Sequence, residues 1–246
     1  MKECGPNCGV DETVLNTTGV HGVRPVILGR HGRVRDRLWS AHLGWTLQTE
    51  SQARRLGRIL GAVTAAIYGA VLVYSLMPPT IGQSVPLRLT DLATVSAAYA
   101  LWSQRHWPFA LTYYWGLTLS TQALISPVLK SPDFPSHQFL GFWAIHLLVV
   151  WAAIYLTWGR KMRPTWHSYR FVVVVTVIWA AATFTFNSIA GTNYGFLNGK
   201  PATASLLDVL GPWPVYVLTA ALLILIVWAL MTWPWERGRG AHAARQ

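Results

Sequence analysis

The chain has 246 residues, 52% of them hydrophobic and 12% charged, with 14 Trp. A soluble domain of this size carries about 25% charged residues, so the deficit excludes an ordinary soluble fold and points to a chain that sits in lipid. The formal net charge is +11, and the two cysteines, Cys4 and Cys8, both lie in the N-terminal tail, which leaves no disulfide framework or four-cysteine zinc site for the apolar region.

Residues 1–54 form the first region. They are polar, basic and Gly-rich, with the run GRHGRVRDR and little periodicity. Such a segment cannot bury a core, so a disordered tail is expected. No apolar run follows Met1, so it does not read as a signal peptide. Cys4-x3-Cys8 with His21 is too loosely spaced to favour a metal site over an unstructured tail.

Residues 55–235 hold six apolar segments: 57–77, 86–103, 107–126, 138–158, 169–190 and 212–233. Each is close to the roughly 20 residues that a hydrocarbon core of about 30 Å requires. Short polar or Pro/Gly-rich connectors separate them, and residues 236–246 form a short basic tail. The expected fold is all-α, a polytopic bundle of six transmembrane helices. GPWP at 211–214 reads as a stiff cap on the last helix. Trp213, Trp233 and Trp235, beside the ends of that span, fit an interfacial belt.

Orientation follows from the basic residues. If the N-terminus is cytoplasmic, 17 of the 20 Lys and Arg fall on the cytoplasmic side, Lys130 and Lys200 fall outside, and Arg88 is left within a span. This asymmetry predicts a multi-pass protein of the cell membrane with both termini cytoplasmic. It also assigns the basic balance to topology and anionic lipid, which leaves a nucleic-acid partner without support.

With that topology, polar residues gather at one depth. Arg88, Thr90 and Asp91 stand at the outer end of the second span, and Gln122 and Ser126 at the outer end of the third. His146 lies eight residues into the fourth span from Gln138, about 12 Å at 1.5 Å per residue. Asn187, Asn193 and Tyr194 close the fifth, and Asp208 precedes the sixth. Lipid contact disfavours such groups, so they are expected to face one another or a cavity. Plainer readings exist for each. Arg88 and Asp91, three apart, suit a structural ion pair. Thr90 suits a hydroxyl bonded to its own helix, and His146 a packed, hydrogen-bonded ring.

The chemistry these residues offer is definite. A hydroxyl becomes a nucleophile when a base takes its proton. Thr90 fits the nucleophile and His146 the base, with Asp91 orienting or balancing the imidazole, although Asp91 points about 100° around the helix from Thr90. Arg88 suits a lipid phosphate or carboxylate. Asn187, Asn193 or Gln122 suit donors to an oxyanion, and Tyr194 and Asp208 complete the substrate-side set.

Several blocks also resemble the YwaF family of bacterial integral membrane proteins: PLRLTDLA (86–93), YYWGLTLSTQALISP (113–127), FLGFWAIHLLVVWAAIYL (139–156), RPTWHS (163–168) and GTNYGFLNGKPATASLLDVLGPWPVY (191–216). The resemblance spans about residues 55–235. It implies similarity to a eukaryotic branch regarded as lipid acyltransferases. In that branch the nucleophile is a Cys in the block reading LRLTDLA here, and the base is the His in the block reading FWAIHLL. Those positions are Thr90 and His146. More distantly, the chain is similar to androgen-induced hydrolases of fatty-acid esters, which pair a Thr with a His. Against the commoner LHLCDL pattern, Thr90 replaces Cys and Arg88 replaces His. The first change implies hydroxyl in place of thiol chemistry, or loss of acyl transfer. A Thr ionises less readily than a Cys, so activation by His146 would matter more.

The resulting expectation is a lipid acyltransferase or lipid-ester hydrolase of the outer leaflet. It would take membrane lipids as substrate and need no metal or cofactor. No protein partner is indicated. The competing expectation is a non-enzymatic transporter or lipid-binding component that uses Arg88, Asp91 and His146 as an intramembrane polar site.

Overall fold

The computed structural model describes residues 49–127, 134–202 and 205–243. Most of the N-terminal tail, with Cys4, Cys8 and His21, lies outside the described residues, as does Lys130. The described chain is helical, without strands. Its helices are α1 (Glu50–Ser75), α2 (Leu89–Ser103), α3 (His106–Tyr114), α4 (Thr121–Ile125), α5 (His137–Ile154), α6 (Trp166–Ala190) and α7 (Val215–Ala243). A π-helical stretch, Trp115–Ser120, joins α3 to α4 without a break, and another, Tyr155–Gly159, extends α5. Two 3-10 turns, Tyr194–Phe196 and Leu206–Leu210, lie between α6 and α7.

Local sequence sets the helix ends. Thr49 and Gln52 form a reciprocal capping box, with Gln52 N donating to Thr49 Oγ1 at 3.3 Å and Thr49 N to Gln52 Oε1 at 2.9 Å. That cap starts α1 well before its apolar run. Thr165 caps α6 by accepting from Ser168 N at 3.0 Å, and Gly191, at φ 64°, ends it in the left-handed conformation that glycine adopts without strain.

Among the described residues, four helices are long and apolar enough to cross a membrane: α1, α5 with its π extension (His137–Gly159), α6, and the Val215–Arg237 part of α7. The 15 residues of α2 reach about 22 Å at 1.5 Å per residue. Lipid tails are as apolar as Leu, so helices in a bilayer associate through close packing and hydrogen bonds rather than hydrophobic force. The α1–α2 contact shows how. A Cβ on Gly57 would stand 2.9 Å from Leu101 O, and one on Gly61 would stand 2.8 Å from Ala98 O. With buried Ala53 these glycines give α1 a small face every fourth residue, and Ala93, Ala97 and Ala100 are buried on α2.

The rod from α3 through α4 lies centrally, in contact with α2, α5 and α6. Pro108 to Gly116 are all buried. Aromatic donors stitch it to its neighbours: Trp115 Nε1 to Thr176 Oγ1 at 3.0 Å, and Trp228 Nε1 to Thr118 Oγ1 at 3.1 Å. Tyr155 Oη donates to Ala53 O at 2.7 Å and ties α5 to α1. The outer faces carry exposed Val174, Val177, Ile178, Leu218 and Leu222, an apolar surface suited to lipid and not to water.

Candidate functional site

The residues singled out at Arg88 to Asp91 open α2, and their position depends on the loop before it. That loop is fastened from two sides. Ser84 Oγ donates to Ser75 O at 2.5 Å and accepts from Thr80 N at 2.9 Å, which folds the chain back onto the end of α1. From the other side, Tyr194 Oη accepts from Val85 N at 3.1 Å and donates to Ile81 O at 2.7 Å, while Trp179 Nε1 donates to Leu87 O at 2.9 Å. The start of α2 is therefore held by groups on and after α6.

Asp91 Oδ2 accepts from Arg88 N at 3.0 Å, so the carboxylate caps its own helix. Tyr68 reaches the same carboxylate from α1. No side-chain ion pair joins Arg88 to Asp91, and the Arg88 side chain is exposed. The Thr90 hydroxyl has no hydrogen-bond partner among the described residues. A helical Thr ordinarily bonds the carbonyl four residues back, as Thr94 Oγ1 does to Thr90 O at 2.7 Å. Thr90 is the second residue of α2, and the carbonyl four back belongs to Pro86, ahead of the helix. Its hydroxyl is left available at the mouth of α2.

His146 is 4% exposed. Its Nδ1 lies 2.7 Å from Phe142 O, one turn back on α5. A carbonyl only accepts, so in the neutral ring Nδ1 carries the hydrogen and Nε2 carries the free lone pair. Nε2 has no partner among the described residues. The orienting role expected for Asp91 is filled here by the Phe142 carbonyl, and Asp91 makes no hydrogen bond to His146. Helices α2 and α5 pack against each other, although no hydrogen bond links Thr90 to His146.

Asn187, Asn193 and Asp208 are bonded within the scaffold. Asn187, 1% exposed, donates to Tyr194 O at 3.0 Å and Asn198 Oδ1 at 2.9 Å, and accepts from Tyr194 N at 2.9 Å and Thr192 Oγ1 at 2.8 Å. That fills two donor and two acceptor positions, so nothing is left for an oxyanion. Asn193 spans its own loop, donating to Gly199 O at 2.8 Å and accepting from Asn198 N at 3.1 Å. Asp208 accepts from Ser205 N at 2.8 Å and lies 3.5 Å from Lys200 Nζ. The Ser205 amide, and then Lys200, hold its carboxyl below the usual carboxylate range. Gln122 is exposed on α4.

Sequence reasoning passed over Tyr68, Trp179 and Ser84, which hold the start of α2, because each reads as an ordinary aromatic or hydroxyl. It also passed over a clamp at the opposite end of the helices. Arg160 donates to Glu50 Oε1 at 2.6 Å, Glu50 Oε2 at 3.0 Å and Gln104 Oε1 at 3.1 Å. Its one signal was an acid, Glu50, flanking a basic helix end.

Helices of this length with apolar outer faces define an integral membrane protein. The chain belongs to the TMEM164 family, whose model matches residues 37–232. No curated protein and no solved structure matches it.

Proposed function

We propose that the chain is a six-span protein of the cell membrane with both termini cytoplasmic, and that it transfers or hydrolyses lipid acyl esters with Thr90 as nucleophile and His146 as base. The observation that carries the reading is the free Thr90 hydroxyl at the start of α2, with a His146 Nε2 lone pair unused on the neighbouring α5. The sorting of basic residues supports the orientation. A pinned loop before α2 would fill the depth that its 15 residues leave uncrossed.

In the proposed reaction, Nε2 takes the Thr90 proton as Oγ1 attacks the ester carbonyl. The tetrahedral intermediate collapses, and the departing alkoxide receives that proton from the imidazolium. Acyl-Thr90 then passes its chain to a lysolipid hydroxyl or to water, activated by the same Nε2. Arg88, exposed before α2, would hold the lipid phosphate. A transport site built on Arg88, Asp91 and His146 is less well supported, because Asp91 is engaged with the Arg88 amide.

The test is turnover of phospholipid and fatty-acid ester substrates, with covalent labelling by an acylating probe. Thr90→Ala is expected to abolish labelling. His146→Ala is expected to slow it about 10²–10⁴-fold, and Thr90→Cys to retain it. Labelling that survives both alanine variants would refute the assignment.

A further inference from the structure

At the end of α1 and α2 remote from Thr90 lies a cavity of about 290 Å³. Arg54 and Arg58, one turn apart on α1, line it with Arg160, Gln104 and Trp102. Glu50 is the acid that meets this cluster, and it is already taken by Arg160 and by Arg54 at 3.0 Å. Arg58 makes no ion pair among the described residues. Three guanidinium groups against one carboxylate leave surplus positive charge. Gln104 lines the cavity with its Oε1 occupied by Arg160, while its unpartnered Nε2 is enclosed against Gly57. Beside it, α3 begins with no side-chain cap on its first amides. Guanidinium groups and a helix N-terminus together suit a phosphate.

The cavity does not stop there. Trp102 also lines an apolar groove of about 360 Å³ between α1 and α2, floored by Gly61, Ala62, Ala65 and Ala98 and reaching Tyr68. Basic cavity and apolar groove meet at Trp102, and Arg54, Arg58, Ala62 and Ala65 follow one face of α1 from the first to the second, which gives a crevice cationic at one end and apolar along its length. From Arg58 to Tyr68 it follows ten residues of α1, about 15 Å at 1.5 Å per residue. A soluble phosphate compound would leave this groove unused, and a neutral lipid would leave the arginines unmatched.

We propose that this crevice binds one anionic phospholipid. Its phosphate sits between Arg54 and Arg58, and one acyl chain lies in the groove up to Tyr68. The headgroup end is remote from Thr90, whereas the groove runs up to Tyr68 and Thr94, one turn along α2 from Thr90; the proposal does not depend on the catalytic reading. An anionic headgroup is favoured because it carries no cation of its own, which leaves the phosphodiester charge free to meet the surplus arginines.

The experiment is native mass spectrometry of the full chain in detergent, titrated with phosphatidylglycerol or phosphatidylcholine, with and without millimolar inorganic phosphate. One phosphatidylglycerol is expected to be retained on the order of tenfold more tightly than phosphatidylcholine. Arg54→Gln with Arg58→Gln is expected to weaken it about 25-fold, near fivefold per arginine. Ala62 and Ala65 are exposed in the groove and outside the α1–α2 contact, so Ala65→Phe fills the groove without forcing the helices apart. It is expected to weaken binding on the order of tenfold with an unchanged thermal melt. Equal retention of the two lipids, or an unchanged double-arginine variant, overturns the proposal. Displacement of the lipid by inorganic phosphate, with Ala65→Phe binding as wild type does, also overturns it by marking a soluble-anion site.

Discussion

Replacing Asn187 with Ala tests whether the far end of α6 holds the start of α2. The side chain makes four hydrogen bonds, two of them to the backbone of Tyr194. In a membrane setting such bonds average about 0.6 kcal/mol each, and stranding a buried partner costs about 1–3 kcal/mol. Water reaches part of this loop, so about 2–3 kcal/mol is the expected loss, or a fall in Tm of roughly 4–12 °C for a chain this long. The more specific consequence lies elsewhere. Once Tyr194 is loosened, its hydroxyl loses Val85 N and Ile81 O, partners more than 100 residues earlier in the chain. Amide exchange at Val85 should therefore accelerate in the Asn187→Ala protein, and Tyr194→Phe should reproduce that acceleration with a smaller loss of stability. Thermal unfolding in detergent and hydrogen exchange read by mass spectrometry measure the two effects. Unchanged exchange across residues 81–87 in both variants would refute the coupling, whatever the change in Tm.

Glu50 predicts a pH dependence. Its hydrogen bonds to Arg160, and then to Arg54, lower its carboxyl from 4.5 to about 2 in the folded chain. A depressed acid stabilises fully above its unfolded value and loses that contribution as pH falls through the folded one. The clamp should therefore weaken between about pH 4.5 and 2, and the slope of Tm against pH in that window should flatten in Glu50→Gln. The helix contact gives a paired test. Gly61→Val, whose Cβ would meet Ala98 O at 2.8 Å, should cost at least about 2 kcal/mol or prevent folding, whereas Gly69→Ala, with open space around its Cβ, should be neutral or stabilise by up to about 1 kcal/mol. Equal melting of these two variants would remove the close-contact account of the α1–α2 interface.

Much of the fold was legible because lipid leaves the backbone few choices. An apolar segment that must satisfy its own amides becomes a helix, and helices stand where the six segments were read. Boundaries moved for local reasons that side-chain caps explain: Thr49 with Gln52 brings α1 forward to Glu50, and Asp91 capping Arg88 starts α2 at Leu89. The last helix runs on past the apolar stretch to Ala243. The site was harder to read. Depth placed Asn187, Thr90 and His146 together as polar residues, but depth cannot tell a saturated side chain from a free one. Asn187 is filled by its own loop, Thr90 is free because its i−4 carbonyl precedes the helix, and His146 is half used.

The sequence by itself determined the membrane setting, the helical segments and the short list of polar residues, because composition and periodicity are local properties. Tertiary structure alone decided which of those residues hold the scaffold and which stay available. Tyr194 bonds Val85, Trp179 bonds Leu87, and Arg160 joins Glu50 to Gln104. These partners lie 56 to 110 residues apart in the chain. A hydrogen bond depends on positions that only packing can bring within about 3 Å.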